Sequence, residues 1–240
     1  MTPPLPRRLL AEFLGTGLLV AVVVGSGVAA QRLSPDDTGL QLLQNSLATV
    51  FGLGVLVLVL GPVSGAHLNP VVSAVDWWLG RRGGGGLSAG DLGAYAVAQT
   101  AGGASGALLA NVMFGLPAVQ VATTARAGAG LWIGEVVATA GLVVVVLALA
   151  RTGRASLSAA AVAGWIGAAY WFTSSTSFAN PAVTVARMLS DTFAGIAPAS
   201  VPAFVAAQVV GAALGTGVAI ALYPTVAGAA DAVAVPRAAA

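Results

Sequence analysis

The sequence predicts an all-α membrane protein: six transmembrane helices plus two half-helices, an inverted repeat of two three-helix units in a single domain over residues 1–240. Three observations carry this expectation. The composition is 58% hydrophobic and only 8% charged, whereas a typical soluble domain is about a quarter charged. Six windows, at about 9–29, 41–60, 92–114, 131–150, 157–173 and 202–222, are apolar over close to the roughly 20 residues a helix needs to cross hydrocarbon. Two short segments, Ser64-Gly65-Ala66-His67-Leu68-Asn69-Pro70-Val71 and Ser177-Phe178-Ala179-Asn180-Pro181-Ala182, interrupt this apolar chain with the same Asn-Pro step, once in each half.

The first window follows Pro3, Pro4, Arg7 and Arg8, as a signal peptide would, but it is too long and has no convincing cleavage site, so it reads as a retained span. It opens with Ala11-Glu12-Phe13-Leu14-Gly15-Thr16. The second window leads into the first Asn-Pro break. In hydrocarbon every backbone amide must find a partner, so a non-helical stretch is tolerable only inside protein or along a wet path. Proline suits the first turn of a helix and asparagine the cap before it, so Asn69 and Asn180 start helices. The pieces that follow, about 69–79 and 180–189, are too short for a core about 30 Å thick, and read as half-helices.

The third window carries Ala98-Gln99-Thr100-Ala101-Gly102 with Gly106, and the sixth carries Ala207-Gln208-Val209-Val210-Gly211 with Gly215. The fourth opens with Gly134-Glu135-Val136-Val137-Ala138-Thr139, repeating the Glu-to-Thr spacing of the first. Repeat one thus runs over about 8–114 and repeat two over about 131–223. Each unit has an odd number of spans, so the second enters from the opposite face and the half-helices dip in from opposite sides. The glycine pairs are small-xxx-small steps for close helix packing. Residues 31–40 and 115–130 read as outer loops, Gly83 to Gly86 as a flexible connector lacking the Lys-Ser/Thr of a phosphate loop, and the Ala/Gly/Val-rich tail from Tyr223 as poorly ordered.

All ten basic residues are arginine. Arg7, Arg8, Arg81, Arg82, Arg151, Arg154 and Arg237 fall on the side of the termini, and Arg32, Arg126 and Arg187 on the other, which puts both termini in the cytoplasm of a cell-membrane protein. The basic balance is therefore a topology signal, not a nucleic-acid footprint. Absence of cysteine excludes disulfides and thiolate chemistry. A lone histidine, His67, builds no metal site. With no nucleophile–base pair and no nucleotide fingerprint, the reading is no enzyme, no metal and no cofactor.

If both half-helices begin near the midplane, their positive ends meet on one path that neutral solutes tolerate and cations do not. Each Asn amide can offer an N–H to a passing oxygen while its carbonyl oxygen caps the helix. Glu12 and Glu135 lie inside spans, where a carboxylate is paired or functional. They can hold the backbone of the inserted loops, with His67 as a structural or pore-lining partner, or they can relay protons. The second possibility keeps an ion-coupled inverted-repeat secondary transporter as the alternative to a passive channel. Trp77, Trp78 and Trp132 read as interfacial anchors.

At these residues the chain resembles the major intrinsic protein family, the aquaporins and aquaglyceroporins, over about residues 8–223. The carriers are the Ser64-to-Pro70 segment, Asn180-Pro181-Ala182, Glu12, Glu135, Gln99 and Gln208. The resemblance implies a narrow pore in each subunit of a homotetramer, embedded in lipid and passing water, glycerol or other small neutral solutes. This chain departs from the family with Val71 in place of alanine after the first Asn-Pro, and with Val183 where the family has its filter arginine. Arg187, four residues on, reads as half-helix surface and not a substitute. Counting by family offsets puts the other filter positions at Ala168, Ser177 and Thr49, with Phe51 the alternative to Thr49. These small side chains imply a wider, less polar gate, suited to hydroxylated solutes. The run from Ala179 to Ile196 also resembles a bacterial subgroup associated with arsenic resistance, which implies uncharged metalloid acids such as arsenite, or methylated arsenicals, as permeants.

Overall fold

The computed structural model describes residues 3–83 and 85–224. The end of the tail, with Arg237, and Gly84 of the glycine connector lie outside the described residues. Among the described residues, eight α-helices run in the order α1 Leu5–Leu33, α2 Thr38–Ser64, α3 Pro70–Gly83, α4 Ala89–Met113, α5 Ala129–Arg151, α6 Ser158–Phe172, α7 Pro181–Ala186 and α8 Val201–Leu222. Helix α7 continues as a 3₁₀ turn, Arg187–Leu189. Six helices fall on the six apolar windows, and α3 and α7 follow the two Asn-Pro steps.

Five of the six long segments are apolar enough to cross a membrane by composition. The exception is α4, whose 25 residues reach across hydrocarbon at about 1.5 Å each, but whose text is diluted by glycine, serine, threonine, Gln99 and Asn111. Five of those residues face inward: Gln99, Gly102, Gly103, Gly106 and Asn111 are buried. Low hydropathy here reflects packing against protein instead of lipid.

The two halves are built alike. Helix α1 packs chiefly on α4 and α2, and α5 on α8 and α6. The glycines explain how closely. A Cβ on Gly102 would sit 2.1 Å from the Phe13 carbonyl oxygen, and one on Gly106 1.9 Å from that of Gly17. In the second half a Cβ on Gly211 would meet the Val136 oxygen at 2.5 Å, and one on Gly215 the Ala140 oxygen at 2.3 Å. Without a hydrophobic driving force between helices in lipid, such backbone contact supplies the van der Waals attraction that holds them. Side-chain caps fix the helix starts: Asp37 accepts from the Leu40 amide at 2.8 Å, and Ser88 from Asp91 at 3.0 Å. An Arg8–Asp91 pair at 3.0 Å ties α1 to the start of α4.

Candidate functional site

The non-helical segments before α3 and α7 are held by the same atoms in both halves. Ala66 and Leu68 have φ of 46° and 49°, and Ser177 and Ala179, at the same distances from their asparagines, 52° and 48°. L-residues adopt the left-handed region at a cost of about 1–2 kcal/mol each. This conformation turns successive amides toward a buried carboxylate. Glu12 accepts from the His67 amide at 3.0 Å and the Leu68 amide at 2.7 Å, and also from Ser64 Oγ at 2.6 Å and Gln99 Nε2 at 2.7 Å. Glu135 accepts from the Phe178 and Ala179 amides, both at 2.8 Å, and from Gln208 Nε2 at 2.6 Å. Gln99 and Gln208 each also reach a hydroxyl on the half-helix, Ser73 and Thr184. Charge-assisted bonds of this kind are about twice as strong as neutral ones, which offsets the strain of the loops.

The asparagines then start the helices. Asn69 Oδ1 accepts from the Val71 amide at 3.1 Å, and Asn180 Oδ1 from Ala182 and Val183 at 3.0 and 3.3 Å. Their side-chain nitrogens cross between the halves. Asn69 Nδ2 donates to the Ala179 carbonyl at 2.8 Å, and Asn180 Nδ2 to the Leu68 carbonyl at 2.7 Å. One of the two N–H groups of each amide is therefore spent on the opposite loop, and the other is what remains for a solute.

Both asparagines line a narrow cavity of about 70 Å³, several times the roughly 10–15 Å³ that one water needs. Four helices face it with residues four apart: Leu19 and Val23 on α1, Thr49, Leu53 and Val57 on α2, Leu142 and Val146 on α5, and Val162, Ile166 and Tyr170 on α6. Residues 66–69 and 177–180 of the two loops supply its polar wall. His67 lines it too, with Nδ1 3.0 Å from Ser73 Oγ and its ring edge-on to Tyr95. Glu12 and Glu135 are fully buried behind the loops and do not line it.

The residues singled out by family offset separate here. Thr49, Ser177 and Val183 line the cavity, whereas Phe51 is 69% exposed and points away. Ser177 Oγ is buried and has no hydrogen-bond partner among the described residues. Ala168 is a correction: it is exposed, two residues, or about 200° of helix, from the Ile166 that faces the cavity. Tyr170, two residues on, lines the cavity, its hydroxyl 3.1 Å from Thr49 Oγ1. Arg187 is the second correction. It is not half-helix surface but is buried and lines the cavity, Nε donating to the Ala194 carbonyl and the guanidinium lying on the Phe178 ring. Its spacing of four from Val183 was the available signal, since residues four apart share a helix face. Val71 is buried behind Asn69 and Pro70 and does not line the cavity; Pro181 and Ala182 form the first turn of α7.

The α4–α5 connection closes the other end of this half. Ala122 N–H donates to the Met188 carbonyl at 2.9 Å, Thr123 to Asp191, and Arg126 through Nε to Gly195 O at 2.9 Å. Burial pushes the Arg126 guanidinium below its usual pKa, against the pull of Glu135 and Tyr170.

Comparison with known proteins agrees with this geometry. The major intrinsic protein family model matches residues 2–177. Aquaglyceroporin AqpS of Rhizobium meliloti (strain 1021) is 50% identical over 208 residues, 87% of this chain and 86% of the relative. Aquaporin AqpM of Methanothermobacter marburgensis is 30% identical over 217 residues, 80% and 86%. The glycerol uptake facilitator protein of Escherichia coli (strain K12) is 41% identical over a shorter stretch of 78 residues, 32% of this chain and 26% of that one. The X-ray structure of the aquaglyceroporin from Plasmodium falciparum superposes with a TM-score of 0.64 at 21% identity, covering 93% of this chain and 99% of that chain, which speaks for the fold. With two Asn-Pro half-helices crossing at one cavity and this kinship over most of its length, the chain belongs to the major intrinsic protein family.

Proposed function

We propose that this protein is a passive channel for small neutral solutes, with water and glycerol-like polyols as its permeants and uncharged metalloid species such as arsenite or methylated arsenicals as further candidates. The observation that carries the proposal is the exchange of side-chain amides between Asn69 and Asn180 at a cavity lined from both halves. A relative named as an aquaglyceroporin at 50% identity and one named as a glycerol uptake facilitator support the solute class.

The selectivity filter comprises Thr49, Tyr170, Ser177 and Val183. Its lining combines apolar side chains, Leu53, Ile166 and Val183, with the hydroxyls of Thr49, Tyr170 and Ser177. A polyol passing along it sets its carbons against the former and its hydroxyls against the latter. An unpaired hydroxyl such as Ser177 Oγ is what a solute must satisfy, since an apolar throat alone would cost it its hydrogen bonds. Family kinship supports a homotetramer with one pathway per subunit, and the arginine distribution supports a cell-membrane orientation with both termini cytoplasmic.

The ion-coupled alternative needs a titrating carboxylate on the path. Glu12 and Glu135 are engaged with the loops behind it. Stopped-flow light scattering on proteoliposomes tests the reading. Glycerol and water fluxes above those of empty vesicles, with no accumulation above equilibrium under a pH gradient, are expected. Accumulation would select the transporter instead.

A further inference from the structure

Arg187 combines three properties that packing alone does not require. It is 3% exposed, it lines the cavity, and its guanidinium carbon lies 3.4 Å from the Phe178 ring centroid. Arg126 sets a second guanidinium 5.1 Å from the same ring, anchored to the Gly195 and Phe193 carbonyls. Phe178 itself lines the cavity, and its amide is fixed by Glu135. Two cations, the buried Arg187 and the half-buried Arg126, therefore share one aromatic ring. Among the described residues neither forms an ion pair with a carboxylate; the pair present is Arg8–Asp91. An apolar side chain would fill such a place at lower cost, because a buried charge without a counter-ion is unfavourable. What the charge adds is a field, and in a narrow passage between low-dielectric walls a fixed cation acts strongly on any ion beside it.

We propose that Arg187, stacked on Phe178 and backed by Arg126, is the cation-rejecting residue of this pathway, set about one helical turn from Val183. The inference rests on the channel reading and deepens it. Charge exclusion and size selection then occupy different levels of the same path. Thr49, Tyr170, Ser177 and Val183 set the width and polarity of a throat free of any cation, and Arg187 repels protonated and metal cations at the end next to the 191–197 loop. A wide throat and a low ion leak become compatible. The permeant class is neutral, oxygen-bearing solutes, with protonated amines of the same size refused.

Proteoliposomes of the full chain carrying wild type, Arg187→Gln, Arg187→Lys and Val183→Arg/Arg187→Gln test this, with sodium and methylammonium leak under an imposed potential and glycerol flux read in the same preparation. Arg187→Gln should raise the ratio of cation leak to glycerol flux about tenfold or more. Moving the charge back one turn in the double variant should return the cation leak itself to the wild-type level. Because lysine loses its proton more readily than arginine at the same site, Arg187→Lys should begin to leak at a lower pH than the wild type as the pH is raised. A wild-type ratio in an assembled Arg187→Gln overturns the inference, as does a pH-independent Arg187→Lys should the glutamine variant fail to assemble. Wild-type vesicles no faster than empty ones for glycerol would remove the channel reading itself, a separate failure.

Discussion

Asn180 Nδ2 lies 2.7 Å from the backbone oxygen of Leu68, 112 residues earlier in the chain, and donates a hydrogen bond to it. The reciprocal bond from Asn69 to Ala179 makes the two loops a single unit. Replacing Asn180 by alanine removes a helix cap and this cross-link together. The expected loss is about 2–3 kcal/mol of stability, read as a lower midpoint in thermal unfolding of the detergent-solubilised protein, with flux reduced toward that of empty vesicles. Asn180→Ser keeps a capping oxygen and should recover part of the stability but not the flux.

Glu12 is the acceptor for four groups and Glu135 for three. A glutamine at position 12 keeps one acceptor oxygen and brings an NH₂ to face an amide donor. Glu12→Gln should cost about 2–4 kcal/mol, measured in the same thermal assay. A proton relay at this position predicts another outcome: unchanged stability and loss of any pH-driven transport.

The filter assignment is tested by the face of α6. Tyr170→Phe removes the hydroxyl 3.1 Å from Thr49 Oγ1 and should change the glycerol-to-water flux ratio roughly fivefold, the equivalent of about one hydrogen bond. Ala168→Leu lies on the exposed face and should leave that ratio within about twofold of wild type, since surface substitutions have small effects. The reverse pattern would restore Ala168 to the pathway.

Val183→Arg introduces a long cation where a small apolar side chain lines the cavity. It should narrow the throat and lower glycerol flux roughly tenfold more than water flux. A greater loss of water than of glycerol would contradict the position given to Val183.

Close packing of α1 on α4 leaves no room for a methyl group at Gly106, whose Cβ would lie 1.9 Å from the Gly17 oxygen. Gly106→Ala should destabilise by about 1–3 kcal/mol, the usual cost of overpacking. Gly164→Ala on α6 meets nothing within 4 Å and serves as its near-neutral control in thermal unfolding.

Much of this was legible in the residues. The Asn-Pro steps gave the half-helices, and the recurrence of Glu12 to Thr16 as Glu135 to Thr139 gave the repeat, because capping and burial of a carboxylate each demand particular residue types. Thr49 was reached by counting back from Asn69, and it belongs to a cavity-lining stripe with Leu53 and Val57, spaced four apart. Ala168 failed for a definite reason. A count back from Asn180 crosses the 173–179 segment, whose length no periodicity fixes, and an error of two residues there turns into about 200° on α6. Helix α2 ends five residues before Asn69 and α6 eight before Asn180, so one half does not predict the phase of the other. Arg187 was hidden differently. Sequence gives its distance from Val183, but the carbonyl of Ala194 and the ring of Phe178 that hold it inside come from loop folding.

The most direct measurement compares wild type with Val183→Trp in proteoliposomes, by stopped-flow light scattering after a glycerol step and after an impermeant osmotic step. An indole at this wall should fill the cavity between Asn180 and Tyr170. Wild-type vesicles should equilibrate faster than empty ones for both steps, and Val183→Trp vesicles with the same protein content should fall back to the empty-vesicle rate. Equal rates in wild type and empty vesicles, or undiminished flux through assembled Val183→Trp, would mean that solutes do not travel between Asn69 and Asn180.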